Sequence, residues 1–245
     1  MLGVGPVRSE KQGAVLRPRA RVDGPKALPG HVFSLVAVLL AAISSPAVAS
    51  AAALLVKVAR PDGAPLQGAV VLLHGSAGSV AKAPVTFVVD QVDQAFKPDL
   101  TIIPVGSTVT FPNTDKVSHQ VYSFSPAKRF QLPLYRGTPY APTKFETAGI
   151  VTLGCNIHDD MIAYLVVTDA AWFGRTDRDG RWSTSDLPAG EYRVEVWHPR
   201  MREKTEVIEQ RESLGASQSG ELDVKLTRTL RPEPLGRKPR SWSDY

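Results

Sequence analysis

The chain predicts an all-β fold of stacked sheets, and three observations carry that prediction. Short runs rich in Val, Ile, Leu, Thr and aromatic residues recur from Leu54 to Leu226, with Gly- and Pro-bearing turns between them. Several runs alternate polar and apolar residues with period two, as half-buried strands do; Glu191-Tyr192-Arg193-Val194-Glu195-Val196-Trp197 is the clearest. No stretch of useful length carries the 3.6-residue apolar period of a helix.

Residues 1–49 read as an export leader. Six basic side chains against two acidic ones in the first 30 residues precede a 12-residue run from Val32 to Ile43. Ala47-Val48-Ala49 then offers the small-x-small pattern of a signal-peptidase site, so cleavage is expected after Ala49. The run falls short of the ~20 residues a spanning helix needs. An uncleaved anchor is the competing reading, and a start downstream of Met1 would shorten the long basic region. Cleavage predicts a periplasmic protein, with no stable membrane insertion of the mature chain. The leader also explains most of the net charge of +5: the remaining residues are close to neutral. The high basicity is therefore no argument for a nucleic-acid partner.

The next elements repeat one style. Leu54-Leu55-Val56-Lys57-Val58 is a strand, Pro61-Asp62-Gly63 a turn, and Ala69-Val70-Val71-Leu72-Leu73 a second strand. Downstream, Asp177-Arg178-Asp179-Gly180 and Leu187-Pro188-Ala189-Gly190 are turns around the strand Arg181–Thr184. The strands 191–197 and 221–226 follow. These flanking pieces resemble the carboxypeptidase regulatory-like, or transthyretin-like, sandwich through Asp62-Gly63-Ala64-Pro65-Leu66-Gln67-Gly68-Ala69-Val70-Val71. Thr176-Asp177-Arg178-Asp179-Gly180 and Leu187-Pro188-Ala189-Gly190-Glu191-Tyr192-Arg193-Val194 match its second half. The resemblance implies an Ig/transthyretin-like β-sandwich made from residues 54–86 and 169–227, with residues 87–168 as a domain between them. A single elongated sandwich with a long excursion satisfies the same pattern.

The central segment holds strands at 87–89, 100–105, 108–111, 120–124, 149–153 and 162–167, a density that predicts a Greek-key sandwich. Residues 125–143, with four prolines and three basic side chains, are expected to form a long surface loop. Residues 228–245, rich in Pro and Arg, are expected to lack fixed structure.

The chemistry concentrates in Gly154-Cys155-Asn156-Ile157-His158-Asp159-Asp160-Met161, which contains the only cysteine. A thiolate, an imidazole and a thioether together suit an ion that cycles between Cu(I) and Cu(II). In an oxidising compartment a lone thiol needs protection, by burial or by a metal bond. His119, 36 residues before Cys155, stands just before a strand and would complete a His2Cys site with Met161 axial. Packing in the core is the alternative role for Met161.

The Cys-x2-His-x2-Met spacing, with Phe111-Pro112-Asn113-Thr114-Asp115 ahead of His119, resembles the cupredoxins, the blue-copper family of plastocyanin and amicyanin. The whole chain is similar to exported bacterial proteins of the methylamine-utilisation or plastocyanin-like type. The resemblance implies a Greek-key cupredoxin β-sandwich over residues 87–168 with one type 1 copper ion on His119, Cys155, His158 and Met161. The residue after the first histidine is commonly Asn in that family and is Gln120 here.

Other residues carry smaller expectations. His74 reads as a strand-end residue and His198 as one at a domain junction. Asp159 and Asp160 are solvated or tune the potential, and Asn113 bonds either the loop or the thiolate. Tyr122, Tyr135, Tyr140 and Trp172 read as packing.

A closed four-ligand site leaves no place for substrate, so the expectation is a one-electron carrier with a protein redox partner and no enzymatic activity. The alternative is a periplasmic copper-handling or copper-sensing protein with no electron partner, which the appended sandwich favours. A carbohydrate-binding role would need a row of stacking aromatics, and none stands out. Hydrolysis through Cys155 and His158 would need an orienting third group. Multicopper oxidation would need more than the four histidines that follow the leader.

Overall fold

The computed structural model describes residues 51–75, 81–202 and 207–232, and every regular element within them is a strand. The leader and residues 233–245 lie outside the described residues. In chain order the first strands are β1 (Ala52–Ala59), β2 (Val70–Gly75), β3 (Thr86–Val88), β4 (Asp90–Val92), β5 (Ala95–Lys97) and β6 (Leu100–Pro104). Then come β7 (Thr108–Thr110), β8 (His119–Ser125), β9 (Lys128–Tyr135), β10 (Thr143–Lys144), β11 (Gly149–Cys155) and β12 (His158–Thr168). The last are β13 (Trp172–Arg175), β14 (Arg181–Leu187), β15 (Gly190–Trp197), β16 (Ile208–Leu214) and β17 (Ser219–Lys225).

The flanking strands form two sheets, ordered β14-β1-β17 and β13-β2-β15-β16. Strict alternation in β1 puts Ala52, Leu54, Val56 and Val58 inward and the intervening residues outward. They meet Val71, Leu73, Val194 and Val196 from the facing sheet in one core. Each fully buried Val or Leu there contributes about 1.5–3 kcal/mol.

The central strands form a five-stranded sheet, β6-β12-β11-β8-β9, and a smaller one, β10-β7-β3, with β4-β5 as a separate hairpin. Their shared core contains Phe96, Ile103, Val109, Phe111, Val121, Phe145, Val151, Leu153, Met161 and Leu165. The five-stranded sheet has two apolar faces. Its inner face supplies Val151, Leu153 and Leu165, while Ile150, Tyr164 and Val166 on the other face pack into the first core. The Tyr164 and Trp197 rings meet there edge-on, with centroids 5.4 Å apart.

Three expectations are corrected. Residues 128–135 of the predicted 125–143 loop form strand β9, antiparallel to β8. Phe130 and Leu132 pack against the second core, and the charges and Pro133 are tolerated because β9 is a sheet edge. Residues 228–232 of the predicted tail have a fixed place, and the rest of that expectation lies outside the described residues. Leu230 is buried in the first core, and Arg231 exchanges hydrogen bonds with Arg200 and donates to the Pro199 carbonyl. Finally, the ligand loop is shorter than expected: β11 continues through Cys155 and β12 begins at His158, leaving only Asn156 and Ile157 between them.

Candidate metal centre

Cys155 ends β11 and is paired in register with His158, the first residue of β12. The two-residue turn thus places a sulfur and an imidazole side by side without help from distant chain. β8 lies on the other side of β11, and the Gly154–Tyr122 pairing sets the register that carries His119 to the same end of the sheet. That pairing needs the glycine: a Cβ at Gly154 would lie 2.7 Å from the Tyr122 ring.

The result is a compact cluster. Cys155 Sγ lies 3.9 Å from His119 Nδ1 and 3.8 Å from His158 Nδ1, and the three ligand atoms all lie within 4.8 Å of one another. A direct hydrogen bond would be weak at such lengths. An ion between them accounts for the spacing better: metal–sulfur and metal–nitrogen bonds of about 2.3 and 2.0 Å, opened to about 120°, separate S and N by about 3.7 Å. The imidazoles are inclined at 55° with ring centroids 4.9 Å apart.

The environments of the three donors differ. Cys155 and His119 are buried and His158 is half-exposed. Burial pushes the Cys155 thiol up, but His119 and the backbone N–H groups of Gln120 and Ile157 outweigh it, so the thiol sits below its ordinary range. Gln120 serves through its backbone, so a side chain other than Asn at this position leaves that hydrogen bond intact. Burial depresses the His119 imidazole, yet Cys155 and Asp115 together raise it above the usual histidine value. His158 is lowered, first by burial and then by its neighbour His119.

Met161 is the fourth residue of β12, fully buried in the second core. It lines, with Cys155, Tyr122, Phe124 and Ile162, an open groove of about 370 Å³. Asp159 and Asp160 are exposed on β12. Asn113 does not reach the sulfur. Its amide donates to the carbonyls of Tyr135 (2.7 Å) and Val117 (3.0 Å), and its oxygen accepts from the Asp115 N–H (3.0 Å). His74 lies apart, between Asp169 (3.4 Å) and Glu195 (3.6 Å), and His198 is buried beside Arg200.

Sequence reasoning missed Asp115. Its carboxylate lies 2.8 Å from His119 Nε2, on the ring edge opposite the sulfur. The only signal was its position four residues before the histidine. Missed too was the β4–β5 hairpin, whose Gln94 N–H donates to the same carboxylate oxygen at 2.8 Å.

No family model matches the chain, and no curated protein is significantly similar to it in sequence. Similar solved structures include a purple cupredoxin from Nitrosopumilus maritimus, 24% identical, with a TM-score of 0.30; the match covers 33% of this chain and 98% of that one. A reduced amicyanin variant is 22% identical, with 40% of this chain and 99% of that chain covered and a TM-score of 0.30. A copper-containing nitrite reductase from Thermus scotoductus SA-01 is 23% identical, with a TM-score of 0.33 over 45% of this chain and 28% of that one.

Proposed function

We propose that this chain is a type 1 copper protein of the cupredoxin kind, working as a one-electron carrier outside the cytoplasm. The observation that carries the reading is the convergence of one thiol sulfur and two imidazole nitrogens at separations suited to a shared ion. Two nitrogens and one soft sulfur in a trigonal set favour copper over zinc, whose structural sites are tetrahedral. Met161, buried beside Cys155, is proposed as the weak axial donor.

Bound copper would supply the one-electron couple. The rest is the work of the chain. The Gln120 and Ile157 N–H groups stabilise the Cys155 thiolate, which favours the donor form of the sulfur. β8, β11 and β12 hold the donors on hydrogen-bonded strands, which limits their movement between oxidation states. His158 is the electron port, because its ring is half-exposed and Ile157 and Ile162 present apolar surface nearby. The partner is a redox protein that docks at this end. The leader at 1–49 is proposed to deliver the chain to the periplasm, and the strands on either side of 87–168 to form an interrupted transthyretin-like sandwich.

Copper titration into the metal-free protein tests the reading. An intense visible thiolate-to-copper band and a type 1 EPR spectrum are expected, and both should vanish in Cys155→Ser. A protein that stays colourless and redox-silent with copper would refute it. Rapid reduction by a periplasmic cytochrome supports a carrier, whereas transfer of the ion to a metal-free acceptor without reduction would support copper handling.

A further inference from the structure

Resting on the copper reading, we propose that Asp115 is a positioning residue of the centre. Its carboxylate, clamped by the tip of the β4–β5 hairpin, fixes the orientation of His119 and sets the balance between the two oxidation states.

His119 presents Nδ1 to the sulfur and Nε2 to Asp115 Oδ2 at 2.8 Å. The ring is therefore held at both edges. Its proton belongs on Nε2, which leaves Nδ1 as the donor atom. A carboxylate hydrogen-bonded to a ligating imidazole makes the ring a stronger donor and adds negative charge one residue away from the ion. That charge favours the more positive oxidation state.

The carboxylate itself is not free to turn away. Its side chain is 11% exposed. Oδ2 also accepts the Gln94 N–H at 2.8 Å, and Oδ1 accepts the Lys116 N–H at 2.6 Å. Gln94 and Asp93 form the two-residue connection of the hairpin, and both have positive φ, 56° and 51°. Positive φ at both positions is what a type I′ turn requires, and it comes easily to glycine, readily to Asp93 and least to Gln94. The disfavoured conformation at Gln94 aims its N–H at the carboxylate, and such strain is concentrated at functional positions. Further bonds tie the segment to the hairpin: the Asp115 N–H donates to the Gln91 carbonyl (3.0 Å), and the Thr114 hydroxyl donates to Asp90 (2.8 Å). A loop that needed only to cover the core would not require this alignment of turn, carboxylate and ligand.

The test compares wild type, Asp115→Asn and Asp115→Glu in the full chain, reading the ratio of Cu(II) to Cu(I) affinity and the reduction potential. Removing such a supporting group changes metal affinity about 10–100-fold. In Asp115→Asn the Cu(II) affinity should fall relative to that for Cu(I), each tenfold raising the potential by about 59 mV. Asp115→Glu, which keeps the charge, should stay closer to wild type. An unchanged affinity ratio in Asp115→Asn would overturn the proposal, even with apo-protein stability reduced, since a merely structural role moves stability and not the ratio. Nitrogen-15 NMR of the metal-free wild type gives an independent arm. A protonated, slowly exchanging His119 Nε2 supports the proposal, and an unprotonated Nε2 overturns it. If wild type gives no thiolate–copper band, the copper reading fails while the NMR arm still decides the role of Asp115. If Asp115→Asn does not fold, Asp115→Glu and the wild-type spectrum decide it.

Discussion

The two cores are made from the same kind of strand but bury different chemistry. The core of the flanking strands is aliphatic and aromatic almost throughout, with Thr176 and His198 as buried polar neighbours of its strands. The central strands bury Gln91, Asn113, His119, Gln120 and Ser123 beside their apolar residues. Burying a polar group is unfavourable unless it is hydrogen-bonded. Polar burial is therefore concentrated where donor atoms must be held, and the flanking core carries only packing. The contrast predicts that perturbing one region changes stability alone, while perturbing the other changes stability and spectrum together.

The largest effect is expected at Trp197, fully buried at the wall shared by the two cores. Trp197→Ala should destabilise the protein by about 3–5 kcal/mol in urea unfolding. Its copper spectrum should match wild type at temperatures where it is folded; an altered spectrum would break the proposed division.

Next comes a pH effect confined to the flanking region. Burial, with Arg200 nearby, pushes the His198 imidazole down to about 4. Its Nδ1 accepts the Arg200 N–H at 3.1 Å, so the folded protein has no room for a second ring proton. The unfolded chain binds that proton at about 6.5. His198 therefore supports folding fully above about pH 6.5, and this contribution is lost as the pH falls towards 4. The loss is about 3 kcal/mol. Unfolding free energies of His198→Gln across this range should lack that part of the slope; a slope equal to wild type would contradict the assignment.

Asn113→Ala should cost about 1–3 kcal/mol, since the Tyr135 and Val117 carbonyls lose their donor. Unlike Trp197→Ala, it should also shift the copper bands, because Asn113 holds the backbone of Asp115. Coincident spectra for variant and wild type would remove Asn113 from the support of the site.

The smallest stability change is expected for Met161→Leu, a near-isosteric swap costing less than about 1.5 kcal/mol. If Met161 is axial, the potential rises, because a weak donor to the more oxidised state is lost. A potential equal to wild type would leave Met161 as a packing residue.

Much of the fold was legible in the sequence because alternation and turn residues act locally. β15 and β17 lie where the period-two pattern put them, and β1 and β2 where apolar runs beside turn residues did. The misses share a cause: β9 and β16 are edge strands with many charged or polar residues, and edge strands need only one buried face and one partner. The β4–β5 turn carries no glycine at its positive-φ positions, and Asp93 alone is a weak turn signal.

The sequence by itself determined that Cys155 and His158 would be neighbours, since three residues across a tight turn leave them little alternative. It also determined which faces of the strands are apolar. Only the tertiary structure decided that His119 reaches the same point across 36 residues, through the pairing of β8 with β11. It alone joined Asp115 to Gln94 and His119. Sequence patterns report what a residue prefers within a few positions, whereas donor convergence depends on strand register and on which polar groups can be satisfied once water is excluded.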